Sequence, residues 1–254
     1  MSLLQFGFQL GKVSFIQFGR GNIGDLPDVG TVVYNTGGWD YRDNRLNHPG
    51  GVSAMRFPRI KTITNQLGGQ TTFTYGQDNP CAAGVAIPPS SGTWAVNNLD
   101  CFPQWDASPA GTANDGWAIF NKWAVQTMVN NPGAASGQPN MQVDYTYYSP
   151  GWGYADNPDS SFDTWNEFRG YNRVIADTVG SGQVETRFHQ GLHGERLTST
   201  TTRSVNVVRS NGTTIADAYA LRGQVYETRQ LTDGGSEISR SWTCLLYTSD
   251  AADE

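Results

Sequence analysis

Short runs of aromatic and β-branched residues, each closed by a glycine-centred turn, constrain this chain more than any other feature. From Met141 onward, Val143, Tyr145 and Tyr147 share one side of a two-residue period, the pattern of a half-buried strand. A break rich in Pro, Gly, Asp and Asn follows from Pro150 to Asp159, and Phe168-Arg169-Gly170-Tyr171 then opens another β-rich run. Gly182 to Gly191 and Leu221-Arg222-Gly223-Gln224-Val225 repeat the scheme. A lone hairpin of this size is marginal in water, so such runs must pair with one another. The expected fold is all-β, built from antiparallel hairpins.

Composition narrows the class further. Of 254 residues 16% are charged and 12% aromatic, with 30 Gly, 8 Trp and 11 Tyr. That is the profile of an exterior β protein, not of a helical bundle or a cytosolic α/β enzyme. The formal charge of −6 is the wrong sign for nucleic acid, which asks for a basic stripe. No apolar run approaches the roughly 18 residues of a membrane span. The opening MSLLQFGFQLGK has no basic n-region, and Gln and Gly interrupt its apolar residues. It reads as a strand that begins partway through something longer, not as a signal peptide.

Three blocks organise the chain. Residues 1–58 form an N-terminal β and loop region, with short strands near Leu3–Leu10, Val13–Phe18 and Thr31–Asn35 and a turn-rich, charged connection over 36–58. Residues 59–243 form the hairpin region. It opens with Ile60–Thr64 and Gln70–Tyr75 around a turn at Leu67-Gly68-Gly69, continues through a long loop over 76–116, and runs in hairpins from Met141 to Trp242. Between them, Trp117, Phe120, Ala124, Val125 and Met128 fit a helix, while Val125, Thr127 and Val129 alternate as a strand does. Helix is expected only for a turn or two near Trp117–Lys122. Residues 244–254, CLLYTSDAADE, differ in character and read as the translation of a transposase sequencing adapter; a genuine short tail is the other reading. Setting them aside leaves 17 basic against 20 acidic residues, a net charge of −3, and two cysteines instead of three.

Four constellations hold residue types that could do chemistry. Gly19-Arg20-Gly21-Asn22-Ile23-Gly24 spells a dinucleotide fingerprint, but that motif needs a helix after its last glycine. The next strand begins near Thr31, too soon for a crossover of a dozen or more residues, so a hairpin loop is expected. His189, His193 and Glu195 have the spacing of helical metal ligands, yet Gly191 and Gly194 oppose a helix; a turn bearing two surface histidines is expected. Asp156, Asp159 and Asp163 offer alternating oxygen ligands suited to a weak calcium site, against a plain solvated turn. Asp159, Asp163 and Glu167, near Trp152, Tyr154 and Trp165, supply the carboxylates and aromatic surfaces that glycoside hydrolysis uses. None of these contexts assigns a catalytic residue or a cofactor.

Cys81 and Cys101 bracket a loop rich in Pro, Ser, Gly and Asn. An even count in an exterior β protein favours a disulfide between them, with two unrelated buried thiols as the alternative.

Several motifs carry a family resemblance. They are Gly68-Gly69-Gln70-Thr71-Thr72-Phe73-Thr74-Tyr75 followed by a cysteine, the triplet Cys101-Phe102-Pro103, the run Trp165-x-x-Phe168-Arg169-Gly170-Tyr171, and Leu221-Arg222-Gly223-Gln224-Val225-x-Glu227-Thr228. Over about Arg59 to Trp242 the chain resembles the Rhs/YD-repeat proteins, large secreted β-shell proteins of bacteria. It lacks the Tyr-Asp dipeptide with flanking Gly-Arg-Leu, and is similar to the degenerate region upstream of the regular repeats. The resemblance implies strand from Trp123 onward, a bridged cysteine pair, and a non-catalytic structural role outside the cell or at its surface. The implied partner is the rest of the same polypeptide, whose β-shell encloses or presents a C-terminal toxin or effector. The alternative is an extracellular all-β protein that binds or acts on carbohydrate, with cell-surface glycans as partners.

Overall fold

The computed structural model describes residues 39–46, 55–82, 94–106, 116–155 and 160–243. Within them the chain is all-β, with no α-helix and only single 3₁₀ turns. The three strands expected before residue 36, the glycine loop at 19–24 and the tail at 244–254 lie outside the described residues.

One open antiparallel sheet of eight strands dominates. In spatial order it holds β3 (Thr62–Thr64), β4 (Gln70–Gly76), β7 (Ala124–Asn131), β8 (Met141–Ala155), β9 (Thr164–Thr178), β10 (Gly182–Phe188), β13 (Val225–Leu231) and β14 (Glu237–Trp242). Position in the sheet follows position in the chain. The two places where numbering skips hold ribbons of their own: β5 (Cys101–Asp106) with β6 (Gly116–Asn121), and β11 (Asn206–Val208) with β12 (Thr214–Ala216). A third ribbon pairs β1 (Trp39–Asp43) with β2 (Arg56–Ile60).

Four expectations need correction. The connection over 36–58 contains β1 and the start of β2, because Trp39, Tyr41, Phe57 and Ile60 supply enough β-forming bulk to zip a ribbon. The long loop over 76–116 contains β5. The helical turn expected near Trp117–Lys122 is strand β6 instead. Its consecutive burial of Ala118, Ile119 and Phe120 follows from cover on both faces, which erases the two-residue alternation and imitates helical spacing. Finally, the break at Pro150 does not end a strand. β8 passes through it with a register shift between Pro150 and Trp152, next to Ser149 at φ 51°. A bulge is where a strand tolerates a residue with no N–H to give.

That bulge organises the molecule. Pro150 pairs with Tyr171, beside Gly170 at φ 89°, so the two longest strands bend together. Gln190 fits against the bend, its amide donating to Ser149 O at 2.8 Å and Gly170 O at 2.7 Å. Only glycine leaves room for it at 151, where a Cβ would stand 2.6 Å from Gln190 Nε2. Beyond the bend, aromatic rings form a continuous file. Phe120 meets Phe102, Phe102 meets Trp152 at 5.0 Å, Trp152 meets Phe168 at 5.1 Å, and Tyr171 and Tyr147 carry it back into the main sheet. Such pairs each contribute on the order of 1 kcal/mol beyond burial. A second core holds the Cys81–Cys101 disulfide, Cα atoms 6.0 Å apart, with Trp94 and Ile119.

Three carboxylates buried to 1% exposure or less fasten the inserted pieces to the sheet. Asp100 accepts from Asn79 N and from the Tyr171 hydroxyl, both at 2.8 Å. Asp217 accepts from His189 Nδ1 and from the backbone N–H groups of Gln190 and Leu192. Glu227 accepts from Ser210 and from Trp242 Nε1.

Candidate functional site

Among the described residues a concave feature lies where β6 turns into β7, beside Asn166 and Phe168 of β9. It is a cleft of about 270 Å³, just below the usual range for small-molecule pockets. Its walls are Phe102, Trp152 and Phe168 from the aromatic file, and Trp123. Trp123 is fixed by donation of its indole N–H to Asp43 O at 3.1 Å and by the Arg42 guanidinium 5.3 Å from its ring centroid. Amides of Asn44, Asn121 and Asn166 supply polar points. Two cations, Arg59 and Lys122, reach in, and among the described residues no carboxylate lines the cleft.

The two cations are held differently. Arg59 donates to Asn44 Oδ1 at 2.8 Å and to Phe57 O at 3.4 Å, which fixes its plane. Lys122 is anchored only through its backbone: its N–H donates to Asp100 O at 2.8 Å and its carbonyl accepts from Gln77. Its ammonium lies 4.4 Å from the Phe168 ring centroid, and among the described residues no acceptor takes a hydrogen bond from it, the side chain being part-exposed. Burial pushes the Lys122 ammonium below its ordinary pKa, and the positive charge of Arg59 pushes the same way, against a weaker pull from Asp100. Arg59 is lowered as well, chiefly by burial. The Asn166 side chain likewise has no hydrogen-bond partner among the described residues.

Of the residues singled out from the sequence, Trp152 borders the cleft, and the described carboxylates and histidines do not. Asp156 and Asp159 fall outside the described residues, and Asp163 is half-buried just ahead of β9. Among the described residues no three His, Cys, Asp or Glu side chains gather as metal ligands. Comparison with known proteins finds no matching family model, no matching curated protein and no matching solved structure. Glu167 is clamped by Arg169 at 2.8 Å and Arg222 at 2.6 Å. Trp152 is buried to 1% exposure and offers no open platform. Tyr154 and Trp165 meet edge-on with Arg196 over Tyr154.

The expected pair of surface histidines is half corrected. His193 is exposed and hydrogen-bonds Val205 O, whereas His189 is buried against Asp217 and the Tyr226 ring. The reason is the Asp217 carboxylate, which comes from a later segment and pulls the turn into the core. Glu195 turns away from both rings to bind Arg169 at 2.6 Å.

Sequence reasoning passed over Lys122 and Arg59. A signal existed: Lys122 is one of three lysines in the chain, set between Asn121 and Trp123 in a stretch with no other basic residue from 62 to 168. A lone cation among aromatics in so lysine-poor a chain is a placed charge, not a solvating one.

Proposed function

We propose that this chain is a non-catalytic structural segment of a secreted Rhs/YD-repeat-type protein, part of a β-shell that encloses or presents a C-terminal toxin or effector. The observation that carries this reading is that, among the described residues, β14 ends the main sheet with no strand paired beyond it. All six residues of β14 are exposed, including Ile238 at 64% and Trp242 at 47%. A sheet edge flanked by exposed apolar side chains is a template for another strand, and in a stacked shell the next hairpin supplies it. The disulfide and the shortage of charge fit a location outside the cell or at its surface.

Sedimentation of the isolated chain, together with a panel of glycosidase substrates, tests the reading. Concentration-dependent association through the C-terminal edge and no turnover are expected. A monomer that unfolds cooperatively and hydrolyses a specific glycan would overturn it. The other reading, an extracellular carbohydrate-binding protein, has one observation in its favour, the aromatic cleft.

A further inference from the structure

We infer that the cleft between β6, β7 and β9 is a binding site for an acidic sugar residue, its carboxylate seated between Lys122 and Arg59 and its ring against Trp123 and Phe168. This deepens the carbohydrate-binding reading of the cleft and is independent of the scaffold reading.

Three observations combine. The first is charge. Arg59 and Lys122, both part-buried, line the same cleft, and among the described residues no carboxylate lines it, Asp40 and Asp100 acting on them from outside the lining. Like charges that share a space repel, and an anion between them relieves that repulsion. The second is donor geometry. The Lys122 ammonium has three N–H donors, none accepted by the described residues, and the Arg59 guanidinium keeps further donors beyond the two it uses. The third is the lining. Aromatic faces suit the C–H faces of a pyranose ring, and the Asn166 amide, which makes no hydrogen bond to the described residues, can both donate to and accept from hydroxyls. A cleft of about 270 Å³ holds one such residue and not a chain of them. A bare inorganic anion would leave the aromatic walls and the amide unused. A neutral sugar would leave the cations unpaired.

Tryptophan fluorescence titration of the full chain tests this, since Trp123 and Trp152 line the cleft. Sodium glucuronate is expected to bind about tenfold or more tightly than glucose, acetate or sulfate, as befits a charge-assisted contact. Lys122→Gln is expected to lose that margin while unfolding at the parent temperature or above, because it removes one of two neighbouring like charges. Asn166→Ala, which removes no hydrogen bond to the described residues, serves as the second variant and is expected to weaken glucuronate severalfold. Equal binding of glucose and glucuronate would overturn the acidic specificity and leave the carbohydrate reading standing. Sulfate binding as tightly as glucuronate would reassign the cleft to inorganic anions. Absence of any sugar binding, or glucuronate affinity unchanged in both variants, would overturn the site altogether.

Discussion

Asp217 illustrates how much of this molecule depends on single buried acceptors. Its two oxygens take hydrogen bonds from His189 Nδ1 at 3.1 Å and from Gln190 N and Leu192 N at 3.0 Å. Asp217→Ala strands these donors in the core, and a loss of about 3–5 kcal/mol in urea unfolding is expected. The carboxyl also predicts a pH response. Burial alone would raise its pKa, but the hydrogen bonds from His189, Leu192 and Gly191 outweigh burial and hold it below its ordinary value of 3.8. A depressed carboxylate stabilises the fold above its unfolded pKa, and the contribution fades as pH falls through the folded one. The urea midpoint should therefore drop below about pH 4, and Asp217→Asn should flatten that part of the decline. Asp100 acts in the opposite sense, since burial raises its pKa despite the bonds from Asn79 and Tyr171.

At the level of elements, the bend in β8 and β9 sets the most demanding steric condition. Gly151→Ala places a methyl group 2.6 Å from Gln190 Nε2 and 2.7 Å from its Cδ, and this side chain bonds two backbone carbonyls, which leaves it nowhere to retreat. A destabilisation of about 2 kcal/mol or more is expected from thermal unfolding, whereas Gly116→Ala, with open space around it, should change little. These elements also show what the sequence makes legible. The hairpin β3–β4, strand β7 and the Tyr-rich half of β8 follow from alternation and turn glycines, and in that half of β8 Val143 and Tyr147 are buried while Gln142 and Thr146 are exposed. β6 was hidden by double-sided cover. The continuation through Pro150 was hidden because a bulge spells itself like a turn. The cleft was illegible for a different reason. Arg59 and Lys122 are 63 positions apart in the chain, and the pairing of β4 with β7, together with the bonds from Asn121 and Trp123 to Asp43 and Asn44, brings their neighbourhoods together.

Across the whole molecule, stability is shared between the sheet, the ribbons and one covalent tie. The Cys81–Cys101 bond closes a loop of 20 residues. Reduction, or Cys81→Ser with Cys101→Ser, should cost about 3 kcal/mol on the chain-entropy account, measurable as a lower urea midpoint at constant slope. Ile238→Lys on β14 should raise the monomer fraction in sedimentation with little effect on unfolding, because charge on an exposed edge discourages strand addition without touching the core. The ordering of the main sheet has a further consequence, for how the molecule is made. Each strand from β3 to β14 docks on the sheet member laid down before it, and the ribbons β5–β6 and β11–β12 close on themselves. Among the described strands, no pairing in the main sheet waits for a later segment to complete an earlier one. A chain wired this way builds its main sheet in chain order. It also lets folding proceed from the amino-terminal side as polypeptide is delivered, so a chain emerging slowly from a ribosome or a translocation channel always finds its next docking edge already built.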